Sequence, residues 1–146
     1  TPVGLGHERL DTWLDLVLTH VIEPALGAGL VFVRDYPASQ SSLARIRPGK
    51  PAVAARFEAY LDGVELANGF HELTDAGEQQ RRFAADCEQR RVQGLDTVTI
   101  DHRLLAALQA GLPDCAGVAL GIDRLMMVAG KAQMLDAVIA FPLANA

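Results

Sequence analysis

The chain has 146 residues, of which 50% are hydrophobic and 21% charged, and its formal net charge at pH 7 is −5. This length predicts one domain or a part of one, and the composition excludes a disordered tail or a collagen-like fibre. The acidic balance argues against a dedicated nucleic-acid binder, and no apolar run reaches the roughly 18 residues that cross a bilayer. Two cysteines, Cys87 and Cys115, favour a reducing cytoplasm over a disulfide scaffold.

Hydrophobic periodicity and turn residues predict the elements in chain order. The first half is predicted to contain a core-facing helix over residues 8–23 ended by Pro24, a strand over 30–33 broken by 34–37, a loop or short turns over 38–51, and a hairpin of 53–61 and 64–72 around Asp62-Gly63. The second half is predicted to contain a helix over 76–93 capped by Asp75, a helix capped by Asp101 and closed by Gly111, a strand over 118–122, a helix capped by Asp123, and a short element over 134–141. This order lacks regular βαβ alternation and predicts an α+β fold with an antiparallel sheet.

The hairpin carries two glutamates on its arms. With a two-residue turn, residue 60 faces 65 and residue 58 faces 67, so Glu58 and Glu65 lie diagonally on one face. Two such carboxylates repel each other unless a positive charge lies between them, and Mg²⁺ that already carries phosphates suits this spacing. The alternative is a pair of solvated glutamates on an exposed sheet face.

Further along the second arm, Asn68, Phe70 and Glu72 have the opposite strand parity from Glu65. A bulge between Glu65 and Phe70, near Asn68-Gly69, would bring these side chains to the face of the two glutamates. Such a cluster suits a substrate amine beside a metal–nucleotide. The alternatives are a turn residue for Asn68, a core aromatic for Phe70, and a histidine with ordinary hydrogen-bond partners for the adjacent position 71.

A second candidate segment follows the predicted helices. Gly117, Ala119 and Gly121 leave one face of a strand bare, so a flat ligand can lie against the backbone. Asp123 is expected at a helix N-cap and Arg124 in the first turn, where an anion is favoured and where a guanidinium fork matches phosphate oxygens.

These two segments together resemble the C-terminal part of the catalytic domain of class II aminoacyl-tRNA synthetases, in the lysine-specific branch. Residues 117–127 are similar to the third signature motif of that class, and residues 56–83 are similar to its lysine and ATP pocket. The resemblance runs from about residue 5 to 142, which is nearly the whole chain.

The resemblance implies activation of a carboxylate by ATP and Mg²⁺ through an acyl-adenylate. It implies roles for nine residues: Glu58 and Glu65 as Mg²⁺ ligands, Glu65, Leu66 and Gly121 in ATP binding, Arg124 as the catalytic clamp on the γ-phosphate, Glu72 and Asn68 on the ammonium groups of the amino acid, and Phe70 and Ala119 as further walls of that pocket. Catalysis of this kind rests on orientation and charge stabilisation.

Within that branch the chain is most similar to truncated paralogues that attach (R)-β-lysine to a lysine side chain of elongation factor P. Three features favour them over the synthetases: the segment 36–40, His71 where the synthetases usually carry Ser, and Ala119 where they carry Gly. The methyl group of Ala119 is expected to favour a β-amino acid over α-lysine. The implied partners are ATP, lysine or (R)-β-lysine and elongation factor P, without tRNA or a membrane.

The first and second signature motifs of the class are absent from residues 1–146. We therefore expect the chain to be a C-terminal fragment of one catalytic domain, inactive alone and homodimeric in a longer enzyme. The first alternative is the same part of a lysyl-tRNA synthetase. The second is an inactive synthetase-like binding module, against which the retention of Glu58, Glu65, Glu72 and Arg124 argues.

Overall fold

A computed structural model of the chain describes residues 7–142. The resemblance noted from about residue 5 therefore begins just outside the described residues. The helical segments are α1 (His7–Val17), a π-helical turn (Leu18–Ile22), α2 (Glu23–Ala25), α3 (Ala76–Val92), α4 (His102–Ala110) and α5 (Ile122–Ala129). The strands are β1 (Leu30–Pro37), β2 (Ile46–Arg47), β3 (Val53–Leu61), β4 (Val64–His71) and β5 (Ala116–Leu120).

The five strands form one antiparallel sheet in the order β1-β3-β4-β5, with the short β2 also paired to β3. The predicted α+β class with an antiparallel sheet is confirmed. The predicted hairpin is confirmed as well: Asp62 and Gly63 both have positive φ, 51° and 79°, as a tight two-residue turn requires.

The first helix differs from its prediction in two ways. It continues past Pro24, because Pro24 lies in the first turn of α2, where a missing N–H costs little. The helix is also less core-facing than its apolar stripe predicts. Trp13 is 57% exposed and Val21 60% exposed, whereas Leu18 packs against the core.

Two predictions for the middle of the chain were wrong in part. β1 is not broken at Arg34 but continues to Pro37, because a bulge at Asp35, with a φ of 65°, absorbs the irregularity. The segment 38–51, predicted as a loop or short turns, does begin with a 3₁₀ turn at Ala38–Gln40, but it also contains the short strand β2, which was not predicted.

The predicted caps of α3 and α4 are confirmed. The Asp75 carboxylate accepts a hydrogen bond from the Glu78 N–H, and Asp101 accepts from the N–H groups of Arg103 and Leu104. The cap predicted for α5 was wrong: Gly121 occupies it, and Asp123 lies in the first turn. The strand before it ends at Leu120 instead of residue 122, and the last predicted element is only a 3₁₀ turn, Leu135–Ala137.

The core is small and the sheet is covered unevenly. Tyr36, Ala44 and Ala54 form a buried cluster, against which Leu18, Val33 and Phe70 pack. On the opposite sheet face four apolar side chains are largely exposed: Leu30 (61%), Phe32 (56%), Val118 (63%) and Leu120 (48%). Cys87 and Cys115 are free and half-buried. In residues 7–142 the helices are too short or too polar to cross a bilayer.

Candidate active site

A bulge in β4 builds the site. Tyr60 pairs with Glu65 as predicted, but Ala59 then pairs with Ala67, which leaves Leu66 as an extra residue. The predicted bulge between Glu65 and Phe70 is thus confirmed, although it lies at Leu66 and not near Asn68-Gly69. Because every later pair shifts by one residue, Glu58 faces Asn68, and the predicted 58-to-67 pairing was wrong.

Glu58 is a buried carboxylate, 7% exposed, with three hydrogen-bond donors. Its Oε2 accepts from the hydroxyls of Tyr36 at 2.6 Å and Tyr60 at 2.7 Å. Its Oε1 accepts from Arg56 Nη2 at 2.5 Å. Burial, and then the hydrogen bond to Glu58, raise the pKa of both tyrosines well above the usual range. The alternative of two solvated glutamates is therefore wrong for Glu58.

Arg56 connects Glu58 with the next strand. Its guanidinium carbon lies 4.4 Å from the ring centroid of Tyr36, and its Nε donates to Asn68 Oδ1 at 3.3 Å. Arg56, Tyr36 and Tyr60 are not among the nine residues that the sequence predicted for the site. The spacing of Arg56, Glu58 and Tyr60 along one strand places them on one face and was a signal that could have found two of them.

Glu65 and Arg124 are paired with each other. Arg124 Nη1 donates to Glu65 Oε2 at 2.8 Å and to the Glu65 carbonyl at 2.9 Å. The Gly121 N–H donates to the Leu66 carbonyl at 2.8 Å, so the bulge also anchors the start of α5. The first turn of α5 therefore holds Arg124 against the strand that carries Glu65.

Glu72 lies over the backbone of β5. A Cβ atom built on Gly117 would come within 2.2 Å of Glu72 Oε1, so the carboxylate occupies the space that glycine leaves. The adjacent His71 bonds to Asp114 at 2.6 Å, and this bond lowers the pKa of the Asp114 carboxyl. The alternative of a histidine with ordinary partners is thus confirmed for His71.

A cavity of about 380 Å³ lies between the start of β4 and the end of β5. Six of the nine predicted site residues line it: Glu65, Leu66, Asn68, Ala119, Gly121 and Arg124. Glu58 and Glu72 do not line it, and Phe70 packs against the core as the alternative for it proposed. A larger cavity of about 510 Å³, between α3 and the loop before α4, contains none of the nine.

The donors partly fit a magnesium ion. Among the described residues no three His, Cys, Asp or Glu side chains group closely enough to hold a metal by themselves. A carboxylate offers about four lone pairs, of which Glu58 uses three here. Mg²⁺ binds through one or two carboxylates plus substrate phosphates. Glu65, which lines the cavity, fits an ion that arrives with a nucleotide, whereas Glu58 lies outside the lining and could offer only its one remaining lone pair.

Comparisons with known proteins show the family of the chain. The chain is 54% identical over 140 residues to a protein of Vibrio cholerae named elongation factor P–(R)-β-lysine ligase, and 52% identical to the protein of that name in Klebsiella pneumoniae. A Salmonella gallinarum protein with the same name is 54% identical. Each alignment covers 95% of this chain but 43% of the relative, so the chain spans less than half the length of these relatives. The model of the class II tRNA synthetases for D, K and N matches residues 18–145. The chain therefore belongs to the class II tRNA synthetase family.

Proposed function

We propose that this site belongs to an AMP-forming ligase that activates (R)-β-lysine, or lysine, and transfers it to a lysine side chain of elongation factor P. The relatives with 52–54% identity bear that name. The observation that carries the proposal is one cavity lined by Glu65, Asn68, the bare strand end at Ala119 and Gly121, and the Arg124 fork. This arrangement can bind a phosphate chain and a cationic amino acid side by side.

The proposed reaction has two steps. A carboxylate oxygen of the amino acid attacks the α-phosphorus of ATP, the bond to the β-phosphate breaks, and pyrophosphate leaves. The ε-amino nitrogen of the acceptor lysine then attacks the acyl carbon, AMP leaves with the bonding electrons, and the amine proton passes to solvent. The side chains named here bind and orient the reactants, and none of them serves as a nucleophile.

The nine residues take the roles that the resemblance implies. Glu58 and Glu65 would hold Mg²⁺, which would shield the negative charge of the phosphates. Leu66 and Gly121 contact the nucleotide, and Arg124 binds the γ-phosphate. Glu72 and Asn68 bind the amino acid, with Phe70 and Ala119 as neighbouring walls. Arg56 Nε donates to Asn68 Oδ1, which leaves the Nδ2 donors of Asn68 for an oxygen of the substrate and one Oδ1 lone pair for an ammonium group.

ATP and Mg²⁺ would have to separate Glu65 from Arg124. The two side chains are 34% and 47% exposed, and pairs with such exposure contribute only about 0–1 kcal/mol. A phosphate on Arg124 and a cation on Glu65 therefore replace this contact at little cost. Metal-free ATP would leave the Glu65 carboxylate facing phosphate, so we expect ATP to bind as its magnesium complex.

We also propose that the first and second signature motifs of the class act together with this site from sequence outside the 146 residues, as part of a homodimer. The exposed apolar sheet face at Leu30, Phe32, Val118 and Leu120 supports this, because such a face is usually covered by further structure. The main alternative function is that of a lysyl-tRNA synthetase, since the matching family model includes the lysine enzymes.

The test uses a hybrid enzyme in which this chain replaces the matching segment of the Vibrio cholerae relative. With ATP and Mg²⁺, adenylate formation is compared for (R)-β-lysine and α-lysine, with elongation factor P and lysine tRNA as competing acceptors. Preference for (R)-β-lysine and transfer to the protein supports the proposal, and α-lysine with transfer to tRNA supports the alternative. In the same assay Ala119→Gly should raise the use of α-lysine, and an unchanged ratio would contradict the role of Ala119.

A further inference from the structure

The guanidinium of Arg56 makes two hydrogen bonds and one ring contact. Nε donates to Asn68 Oδ1 at 3.3 Å, Nη2 donates to Glu58 Oε1 at 2.5 Å, and the central carbon lies 4.4 Å from the centroid of the Tyr36 ring. The side chain is only 20% exposed. A lysine ammonium is a compact point charge and cannot reproduce this set of contacts.

Arg56 is held in place by the Glu58 carboxylate, which has two further hydrogen bonds that do not come from Arg56. The Glu58 side chain is 9% exposed, and its second oxygen accepts from the hydroxyls of Tyr36 and Tyr60. Those two hydrogen bonds do not involve Arg56, so we expect them to remain in Arg56→Lys. The orientation of the guanidinium therefore comes from a fixed carboxylate, and a change at Arg56 should affect Asn68 more than Glu58.

Asn68 needs such a neighbour because its amide can rotate. The oxygen and nitrogen ends of an asparagine amide have nearly the same shape, and only the oxygen accepts a hydrogen bond. The Arg56 Nε–H therefore selects the orientation in which Oδ1 faces the arginine. Asn68 lines the cavity of the candidate site, whereas Arg56 does not.

We propose that Arg56 is a positioning residue that fixes the amide of Asn68 for binding of the amino-acid substrate. This inference rests on the proposed function, because it assigns Asn68 to the amino acid. Arg56 does not line the cavity and acts on the amino acid through Asn68. Its bond to Glu58 is one of three that this carboxylate accepts, and the other two come from Tyr36 and Tyr60.

The kinetic test is Arg56→Lys in the hybrid enzyme, with Arg34→Lys as the matched control. Arg34 lies on the same sheet, and its side chain is 77% exposed. We expect Arg56→Lys to raise the KM for the amino acid about tenfold and to change the KM for ATP less than about threefold, since loss of an orienting contact weakens one subsite. Arg34→Lys should change neither constant.

A double-mutant cycle separates positioning from a general structural role. If Arg56 acts through Asn68, Arg56→Lys should raise the KM for the amino acid by less than about threefold in an Asn68→Ala background, because the effects of coupled changes are not additive. An equal loss in both backgrounds, or a parallel rise of both KM values together with a lower melting temperature, overturns the proposal.

A second readout does not depend on activity. This chain contains two asparagines, Asn68 and Asn145. When the chain alone is prepared with isotope-labelled asparagine, its NMR spectrum should therefore contain two side-chain amide pairs. Arg56→Lys should shift the Asn68 pair and speed its proton exchange, and Arg34→Lys should not. An unmoved Asn68 pair overturns the inference. A hybrid that activates no amino acid overturns the proposed function, while this spectrum still decides the role of Arg56.

Discussion

At the scale of single residues, Glu58 organises the site through its charge. It is buried, and its negative charge is compensated by one guanidinium and two hydroxyl donors. Removal of a partner from a buried carboxylate leaves its desolvation uncompensated. Burial, and then the same carboxylate, raise the pKa of both tyrosines, because a phenolate there would be poorly solvated and would lie beside a second negative charge.

The stability of the chain should therefore fall at alkaline pH. The pKa values of Tyr36 and Tyr60 are raised in the folded protein above an unfolded value of about 10. Their stabilising contribution is then complete below about pH 10 and is lost as the pH rises towards the folded pKa. Tyr60→Phe should be less stable by about 1 kcal/mol at neutral pH, from loss of a hydrogen bond, but should lose less with rising pH.

Urea unfolding of the wild type, Tyr36→Phe and Tyr60→Phe between about pH 7 and about pH 11 measures this difference. The thiols and lysines titrate in all three proteins and cancel in the comparison. Parallel curves of unfolding free energy against pH for the three proteins would show that folding does not raise the pKa values of these tyrosines.

The sequence predicted six of the residues that line the cavity but not the contacts between them. Residue types, strand parity and resemblance identified Glu65, Asn68 and Arg124, which the structure places around one cavity. The pairing of Glu65 with Arg124 could not be predicted, because it joins residues 59 positions apart through the start of α5. The spacing of two residues places Arg56 on the face of Glu58, but its contacts with Asn68 and Tyr36 depend on distances that no linear pattern contains.

At the scale of elements, the decisive feature is the bulge in β4. The Asp62-Gly63 turn fixes the first two cross-strand pairs, and these follow from sequence alone. The position of the bulge was predicted only to within a few residues. Glycine is favoured at bulges, so Gly69 drew the prediction away from Leu66. In the structure Gly69 instead makes room for the Phe57 ring, since a Cβ atom there would lie 2.7 Å from it. Leu66 is the extra residue, and its carbonyl accepts a hydrogen bond from the N–H of Gly121, which is distant in sequence.

Gly69 and Gly117 should therefore respond differently to the same substitution. In Gly69→Ala the added methyl group meets the Phe57 ring and the Gly117 carbonyl, so we expect a loss of stability of about 1–3 kcal/mol from overpacking. In Gly117→Ala the methyl group meets only the Glu72 carboxylate, which can move. We expect a smaller loss of stability there, with a KM for the amino acid raised at least about tenfold.

Thermal unfolding of both variants and kinetics in the hybrid enzyme measure this contrast. Gly77→Ala, in the first turn of α3 and away from the cavity, is the control for the added methyl group. A Gly117→Ala variant that binds the amino acid normally would show that Glu72 has no contact with the substrate amine.

At the scale of the whole molecule, the described residues leave much apolar surface exposed. The apolar stripe of α1 predicted a core-facing helix, yet Leu10, Trp13 and Val21 are at least 49% exposed. The face of the sheet that carries Leu30 and Val118 is also exposed. A stripe predicts that a face will be buried but not which chain segment will cover it.

We expect a charged substitution on this exposed sheet face to have opposite effects on the chain alone and on the hybrid enzyme. The chain alone should bind a hydrophobic dye, self-associate and show no pyrophosphate exchange, because large exposed apolar patches promote association. Leu30→Glu should reduce this self-association, since it places a charge on the patch. In the hybrid enzyme the same change should lower stability and activity, because a buried unpaired carboxylate is costly.

Val92→Glu provides the matched control, since Val92 is 69% exposed at the end of α3, on a helix surface dominated by charged residues. It should leave the hybrid enzyme unchanged. Light scattering, dye binding and pyrophosphate exchange on both proteins measure the outcome. If Leu30→Glu has no effect in the hybrid, the sheet face is not covered there. Strong exchange activity in the chain alone would show that its 146 residues need no further motif.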